Sequence, residues 1–207
     1  MHSTIRGAIR GALMIFALGN NPTAAATGVD LTNPAFAPTG EATSIPIGHA
    51  EFCTTHRAEC QPNIRVVDVE ALSEGRWKQL LEVNDAVNAA IIPETDADLY
   101  QVAEYWTYPD GRGDCEDYVL EKRRQLIDDG WDASALLMTV VRQANGEGHA
   151  VLMVRTDRGD LVLDNQDGRV LLWSATPYQF IKRQSQTDAG KWVSITDARS
   201  VTTTASN

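Results

Sequence analysis

Residues 113–131 read GDCEDYVLEKRRQLIDDGW, and the fold turns on how this stretch is parsed. Gly113 closes a turn-rich segment, the run from Cys115 to Asp129 is composed of good helix formers, and Gly130 suits a C-terminal cap. The parse places Cys115 in the first turn of a helix. Downstream, the runs ALLMTVVRQ, GHAVLMVRT, DLVLDN and RVLLW have strand character, separated by the tight-turn stretches ANGEG, TDRGD and NQDG. A helix followed by an antiparallel meander is an α+β arrangement, and His149 opens its second strand.

Upstream, the three-and-four spacing of Trp77, Leu80, Leu81 and Val87 predicts an amphipathic helix from Leu72 or Ser73 to Ala90, which Pro93 keeps from continuing. Between that helix and the cysteine lies an aromatic loop, EYWTYPDGRG, where Trp106 and Tyr108 are candidates for lining a cleft or for the core.

The ends of the chain have a different composition. Arg6 and Arg10 precede the apolar run GALMIFALG, and the small-residue cluster PTAAATG follows, the layout of a secretory signal peptide cleaved after Ala26. The run falls short of the roughly 20 apolar residues that span a bilayer. The expectation is therefore a signal peptide over 1–26, a linker or irregular arm over 27–45, one catalytic-type domain over 46–198 and a flexible tail over 199–207. The mature protein would be periplasmic or secreted, with no membrane span. The full chain carries a formal charge of −10; an acidic chain with no basic stripe argues against a nucleic-acid partner.

Export changes how three cysteines are read, because disulfides persist outside the cytoplasm. Cys53 and Cys60 are close in sequence and Cys115 is left over. The pattern H-x3-C-x2-H-x3-C over His49, Cys53, His56 and Cys60 has the residue types of a zinc site. On a helix, though, all four would fall on one stripe, which cannot surround a tetrahedral ion. The expectation is a Cys53–Cys60 disulfide.

A thiol attacks as the thiolate, and a helix N-terminus favours that form through its dipole and unpaired N–H groups. A nucleophile also needs a base and a group that orients the base. His149 is the histidine on a strand able to lie beside the Cys115 helix, and Asp164, at the end of LVLD in the next strand, is the candidate orienting acid. A turn centred on Arg158-Gly159 does not set residues 149 and 164 directly opposite; a bulge or longer turn would absorb the offset. Each signal alone is commonplace, whereas Cys, His and Asp in this order on these elements are far more specific.

The blocks GDCEDYVLEKRRQLIDDGW, GHAVLMVRT and LVLDN, with PIGHAEFCTTHRAEC upstream, together resemble the bacterial transglutaminase-like cysteine proteinases. That family includes periplasmic adhesin-releasing proteases of the LapG type. The resemblance covers roughly residues 45–195. It implies a papain-like or transglutaminase-like core, with Cys115, His149 and Asp164 as nucleophile, base and orienting acid, and hydrolysis of amide bonds in a protein or peptide substrate through a thioester. A transglutaminase-type acyl transferase with the same triad and a non-catalytic calcium-binding or interaction module are the alternatives.

Asp114, Glu116 and Asp117 pose a problem for any such nucleophile. Two charges about 6 Å apart at an effective dielectric near 20 interact by roughly 3 kcal/mol, about 2 pKa units against the thiolate. Three answers stand open. The acids cap the helix and point away from the sulfur; or a protonated His149 outweighs them; or a Ca²⁺ ion sits on them and reverses their effect. The resemblance favours calcium, since several adhesin-releasing members bind the ion through acids flanking the nucleophile, matched here by Asp114 and Glu116. No organic cofactor is expected.

Overall fold

The computed structural model describes residues 34–199. The signal-peptide reading of residues 1–26, the start of the expected arm and most of the expected tail lie outside them. Among the described residues no helix is long and apolar enough to cross a membrane.

The elements in chain order are β1 (Thr39–Thr43), α1 (Ile47–Thr55), α2 (Glu74–Ala90), β2 (Ile92–Pro93), α3 (Asp96–Leu99), β3 (Arg112–Gly113), α4 (Cys115–Asp128), β4 (Leu136–Arg142), β5 (Gly148–Thr156), β6 (Gly159–Leu163), β7 (Leu171–Leu172), β8 (Gln179–Gln184) and β9 (Trp192–Ile195). Seven strands form one sheet in the order β1-β9-β8-β4-β5-β6-β7, each adjacent pair antiparallel. The expected meander is its β4–β7 half. The chain then returns so that β8 pairs with β4.

The helices α2 and α4 begin and end close to where sequence puts them. Ser73 caps α2 by accepting the Arg76 amide, and Gly130, at φ 84°, takes the left-handed conformation that ends α4 cheaply. Both helices press an apolar face on one side of the sheet. Leu80, Val83 and Val87 from α2 and Tyr118, Leu120 and Leu126 from α4 meet Ala150, Leu152 and Val154 of β5 there. The alternate residues Val151 and Met153 face a second cluster with Leu137, Val162, Trp173, Tyr178 and Phe180. Because β5 is buried on both faces, its sequence is a nearly unbroken apolar run rather than an alternation. Each fully buried Leu here contributes about 1.5–3 kcal/mol relative to exposure.

Two terminal expectations meet a different outcome. Within the stretch read as an irregular arm, Thr39–Thr43 form edge strand β1 on β9. Ahead of it, Asp160 accepts the Ala37 amide at 2.8 Å and donates its own amide to the Ala35 carbonyl at 2.9 Å. Arg199, placed by sequence in the tail, donates to the carbonyls of Trp173 and Tyr178 at 3.0 and 2.8 Å and lies over the Trp173 ring. These long-range backbone pairings leave no periodic trace in sequence.

Cys53 and Cys60 are joined in a disulfide. His49, fully buried beside it, accepts the Trp192 indole N–H through Nδ1 at 3.1 Å. Burial, then the charge of Arg123, lowers its pKa to about 4. The neutral ring therefore carries its hydrogen on Nε2, which points at both sulfurs. With the sulfurs bonded to each other and Nε2 protonated, this cluster is no zinc site.

Candidate active site

The β5–β6 hairpin turns at Asp157-Arg158, one residue earlier than expected, with Thr156 opposite Gly159 and Leu152 opposite Leu163. Continued past the last pair, this register sets position 166 opposite His149 and Asp164 diagonal to it on the same face. The diagonal is short enough for the side chains to meet: His149 Nε2 lies 2.8 Å from Asp164 Oδ1, both groups buried.

Asp164 is held from all sides. Its Oδ1 also accepts the Gln166 amide at 3.0 Å, its Oδ2 accepts the Tyr178 hydroxyl at 2.5 Å, and its carbonyl accepts Asn88 Nδ2 at 2.8 Å. Burial pushes its pKa up, but the hydrogen bond and charge of His149, with those from Gln166 and Tyr178, outweigh burial and hold it below the ordinary carboxylate range. An ionised Asp164 fixes the His149 tautomer with hydrogen on Nε2, so the lone pair sits on Nδ1. Gln166 Nε2 is 3.4 Å from that nitrogen.

Cys115 opens α4, directly after Asp114 at the N-cap position. The helix packs across β5, so that the Ala150 amide points at Cys115 Sγ from 3.3 Å. The residue next to His149 in β5 thus touches the sulfur. The thiol in turn donates to Glu116 Oε2 at 3.1 Å, and among the described residues no hydrogen bond joins it to His149. Burial first, then the charge of Glu116 and the hydrogen bond to it, lifts the thiol pKa well above its ordinary value, against the Ala150 amide, which lowers it. In this arrangement the helix N-terminus does not win, and the sulfur keeps its proton.

The acids are where the structure adds a residue. Strands β2 and β3 pair in parallel and clip the two ends of the 94–111 excursion together. That clip carries Asp96, at the start of α3, to Asp114 and Glu116, and oxygens of the three carboxylates lie within 4.8 Å of one another. Asp114 occupies the N-cap position but makes no side-chain cap bond; its Oδ2 accepts the Asp96 amide at 3.3 Å. Asp96 Oδ1 and Asp114 Oδ1 are buried with no hydrogen-bond partner. Burial, then the charge of Asp114, raises Asp96 to about 6, and the same two causes raise Glu116 further. Three hard oxygen donors with orphaned, proton-loving carboxylates fit a Ca²⁺ ion. Asp117 is not part of the convergence. Its Oδ1 accepts the Thr107 amide at 3.0 Å, pinning the aromatic loop to α4.

Trp106 is a core residue rather than a cleft wall. It is 5 % exposed, packs on His49 and Trp192, and fills the space a Cβ on Gly48 would need. Tyr108 does line a groove, one between residues 58–65 and the outer side of α4, with its hydroxyl on Glu59 Oε2 at 2.5 Å. Sequence reasoning missed Asp96, Gln166, Tyr178 and Asn88. Asp96 alone had a signal, an acidic run TDAD just after the helix-ending Pro93.

The sequence model of a family described as bacterial transglutaminase-like cysteine proteinase, BTLCP, matches residues 39–200. No curated protein matches the chain. Among solved structures, calcium-bound Legionella pneumophila LapG is 28% identical with a TM-score of 0.47, over 52% of this chain and 64% of that one. The EGTA-treated form of the same protein is 28% identical with a TM-score of 0.49, over 59% of this chain and 72% of that one.

Proposed function

We propose that this chain, which belongs to the bacterial transglutaminase-like cysteine proteinases, hydrolyses amide bonds of a protein substrate with Cys115 as nucleophile, His149 as base and Asp164 as orienting acid. The observation that carries the reading is the buried His149–Asp164 pair at 2.8 Å, next to an amide that touches Cys115 Sγ. We place the reaction in the periplasm or outside the cell, after loss of residues 1–26.

The steps follow from the tautomer. His149 Nδ1 takes the Cys115 proton, and the imidazolium is stabilised by Asp164 across Nε2. The thiolate adds to the substrate carbonyl carbon, and the oxyanion is met by the Cys115 backbone N–H, free in the first turn of α4. The intermediate collapses as Nδ1–H protonates the leaving amine, which departs as a new N-terminus and leaves a thioester on Cys115. A water molecule then gives its proton to Nδ1 and adds to the thioester, and collapse returns the thiol and releases the acid.

Asp96, Asp114 and Glu116 are the residues that would hold Ca²⁺. The ion would supply positive charge beside the Cys115 sulfur, where the acidic groups of these three residues disfavour the thiolate. His149, Asp164 and the helix N-terminus perform the proton and bond steps themselves.

The test is comparative N-terminal proteomics of surface and secreted proteins from cells carrying wild type or Cys115→Ala. New N-termini confined to wild type name the substrate and support hydrolysis. Incorporation of an added amine in place of hydrolysis would move the chain to the acyl transferases. A Cys115 that no peptide-like electrophile labels would end the catalytic reading.

A further inference from the structure

The Cys53–Cys60 bridge faces buried groups that take no part in the proposed proteolysis. His49 Nε2 lies 3.7 Å from Cys53 Sγ and 3.8 Å from Cys60 Sγ, and both cysteines are partly exposed. We propose that this disulfide is a thiol–disulfide exchange site, opened by a dithiol reductant with His49 stabilising the departing sulfur, and that its opening lowers turnover at Cys115. Only the effect on turnover rests on the hydrolase reading above.

The hydrogen on Nε2 has no better acceptor to turn to. Nδ1 accepts the Trp192 indole N–H at 3.1 Å, which fixes the tautomer, and the ring is wedged between Trp106 and Trp192, with centroids 5.4 and 5.5 Å away. Gln184 cannot accept it. Its Oε1 takes the Met138 amide at 3.1 Å, and the atom it turns to His49 is Nε2, itself a donor to the Ala189 carbonyl at 2.8 Å. Among the described residues the two sulfurs are therefore the only acceptors this buried N–H meets. A bonded sulfur accepts weakly and a thiolate strongly, so the donor is held ready for the opened state. Arg123, buried and donating its Nε to the Leu136 carbonyl at 3.1 Å, adds positive charge nearby, for it helps to keep His49 neutral. The acid facing it, Glu59, is taken up by the Tyr108 hydroxyl at 2.5 Å. A partly exposed sulfur in electropositive surroundings is the setting of a reactive cysteine.

In the exchange, a thiolate of the reductant attacks one sulfur and forms a mixed disulfide with it. The Cys53–Cys60 bond breaks, and its electron pair goes to the other sulfur. That sulfur leaves as a thiolate hydrogen-bonded to Nε2–H and then takes a proton from water. Because Nε2 is nearly equidistant, either cysteine can be the one that leaves. The reductant's second thiol, losing its proton to solvent, displaces the first cysteine, which is protonated in turn. The reductant ends as a disulfide, and the chain as two thiols, two electrons and two protons richer. Opening frees the 3-10 turn Arg57–Cys60, which braces the loop before Cys115. Glu59 holds the Tyr108 hydroxyl, His56 packs on the Tyr108 ring at 5.7 Å, and the adjoining Thr107 amide is bonded to Asp117 of α4 at 3.0 Å.

The experiment exposes the full chain to dithiothreitol, quenches with N-ethylmaleimide at intervals and reads labelling at Cys53 and Cys60 by mass spectrometry. Wild type is compared with His49→Phe, which keeps a ring and loses the N–H, and with Trp192→Phe, which removes the donor that fixes the tautomer. Each variant should be reduced about tenfold more slowly than wild type. A variant that merely loosened the fold would be reduced faster, so a structural effect has the opposite sign. Reduction of both variants at the wild-type rate or above it would overturn the exchange site. Hydrolysis of the substrate found by proteomics is followed in the same samples before quenching. Wild-type activity should fall about tenfold as the bridge opens, and the double variant Cys53→Ser/Cys60→Ser should be equally low with or without reductant. Full activity after complete opening would overturn the effect on turnover. Absence of any cleavage dependent on Cys115, shown with Cys115→Ala, would overturn the hydrolase reading, and the reduction rates would still decide the exchange site on their own.

Discussion

Adding Ca²⁺ to the metal-stripped protein should release about one proton per site at pH 7 and raise the melting temperature. The count comes from the carboxylates. Asp96, at about 6, is on the order of one-tenth protonated at pH 7. Glu116, lifted higher by burial and by Asp114, keeps its proton there. Ligation requires both as carboxylates, so roughly one proton leaves, and apparent affinity should climb about tenfold per pH unit near neutrality. Free calcium at a hundred times Kd stabilises by about 2.7 kcal/mol, or roughly 5–10 °C for a domain of this size. Alkylation of Cys115 should accelerate as well, since Glu116 no longer holds the thiol proton at 3.1 Å. Thermal melts at three pH values, with calorimetry in two buffers of different ionisation heat, read stability and protons independently of turnover. Magnesium should do less, because it demands tighter octahedral geometry. Unchanged melting and no proton release on adding calcium, or an undiminished response in Glu116→Gln, would refute the site.

Asp164→Asn keeps the shape of the carboxylate but frees the imidazole to adopt the other tautomer, so kcat should drop about 10³–10⁴-fold. Tyr178→Phe, which removes one hydrogen bond to the same acid, should lower kcat by about 10–100-fold, and both are read in steady-state kinetics on the substrate that proteomics identifies. Replacing Cys53 and Cys60 by Ser opens a loop with a sequence separation of 7 and should lower stability by about 2–3 kcal/mol, visible in urea melts without reductant. Lys122 is fully buried, and burial lowers its pKa from 10.5 to about 7 against the opposing pull of Asp164. Between those values the unfolded chain binds the extra proton, so this residue makes stability rise with pH. Lys122→Met should therefore gain stability over wild type by a few kcal/mol more at pH 7 than at pH 10, and equal differences at the two pH values would exclude the buried lysine as the cause.

What sequence could show here follows the range of the physics involved. The start and end of α4 and the apolar strands β4–β6 are local: a cap, a glycine and a burial pattern state them within a few residues. The pairing of His149 with Asp164, and the place of Cys115 at the start of α4 against the Ala150 amide, were legible because each residue sits at an element boundary and one hairpin carries two of them. Even so, the expected turn lay one residue too late, and the observed register, continued past its last pair at Leu152 and Leu163, sets position 166 rather than 164 opposite His149. That slip concealed the approach of Gln166 to His149 Nδ1. Asp96 could not be read because its approach to Asp114 depends on a two-residue parallel clip between β2 and β3, a pairing with no periodicity to detect. Trp106 was ambiguous for another reason: an aromatic before a catalytic-type helix suits either role, and the deciding contact is with Gly48, far upstream. The acids around Cys115 show the same division. Sequence alone poses the electrostatic conflict and its size, while the answer depends on where each carboxylate points. Asp117 turns back to the Thr107 amide, Glu116 turns to the thiol, and Asp114 faces Asp96. With two of three acids aimed at one buried point and a fourth brought in from α3, helix capping alone no longer accounts for them, and the proposed Ca²⁺ would offset their charge beside the sulfur at this helix start.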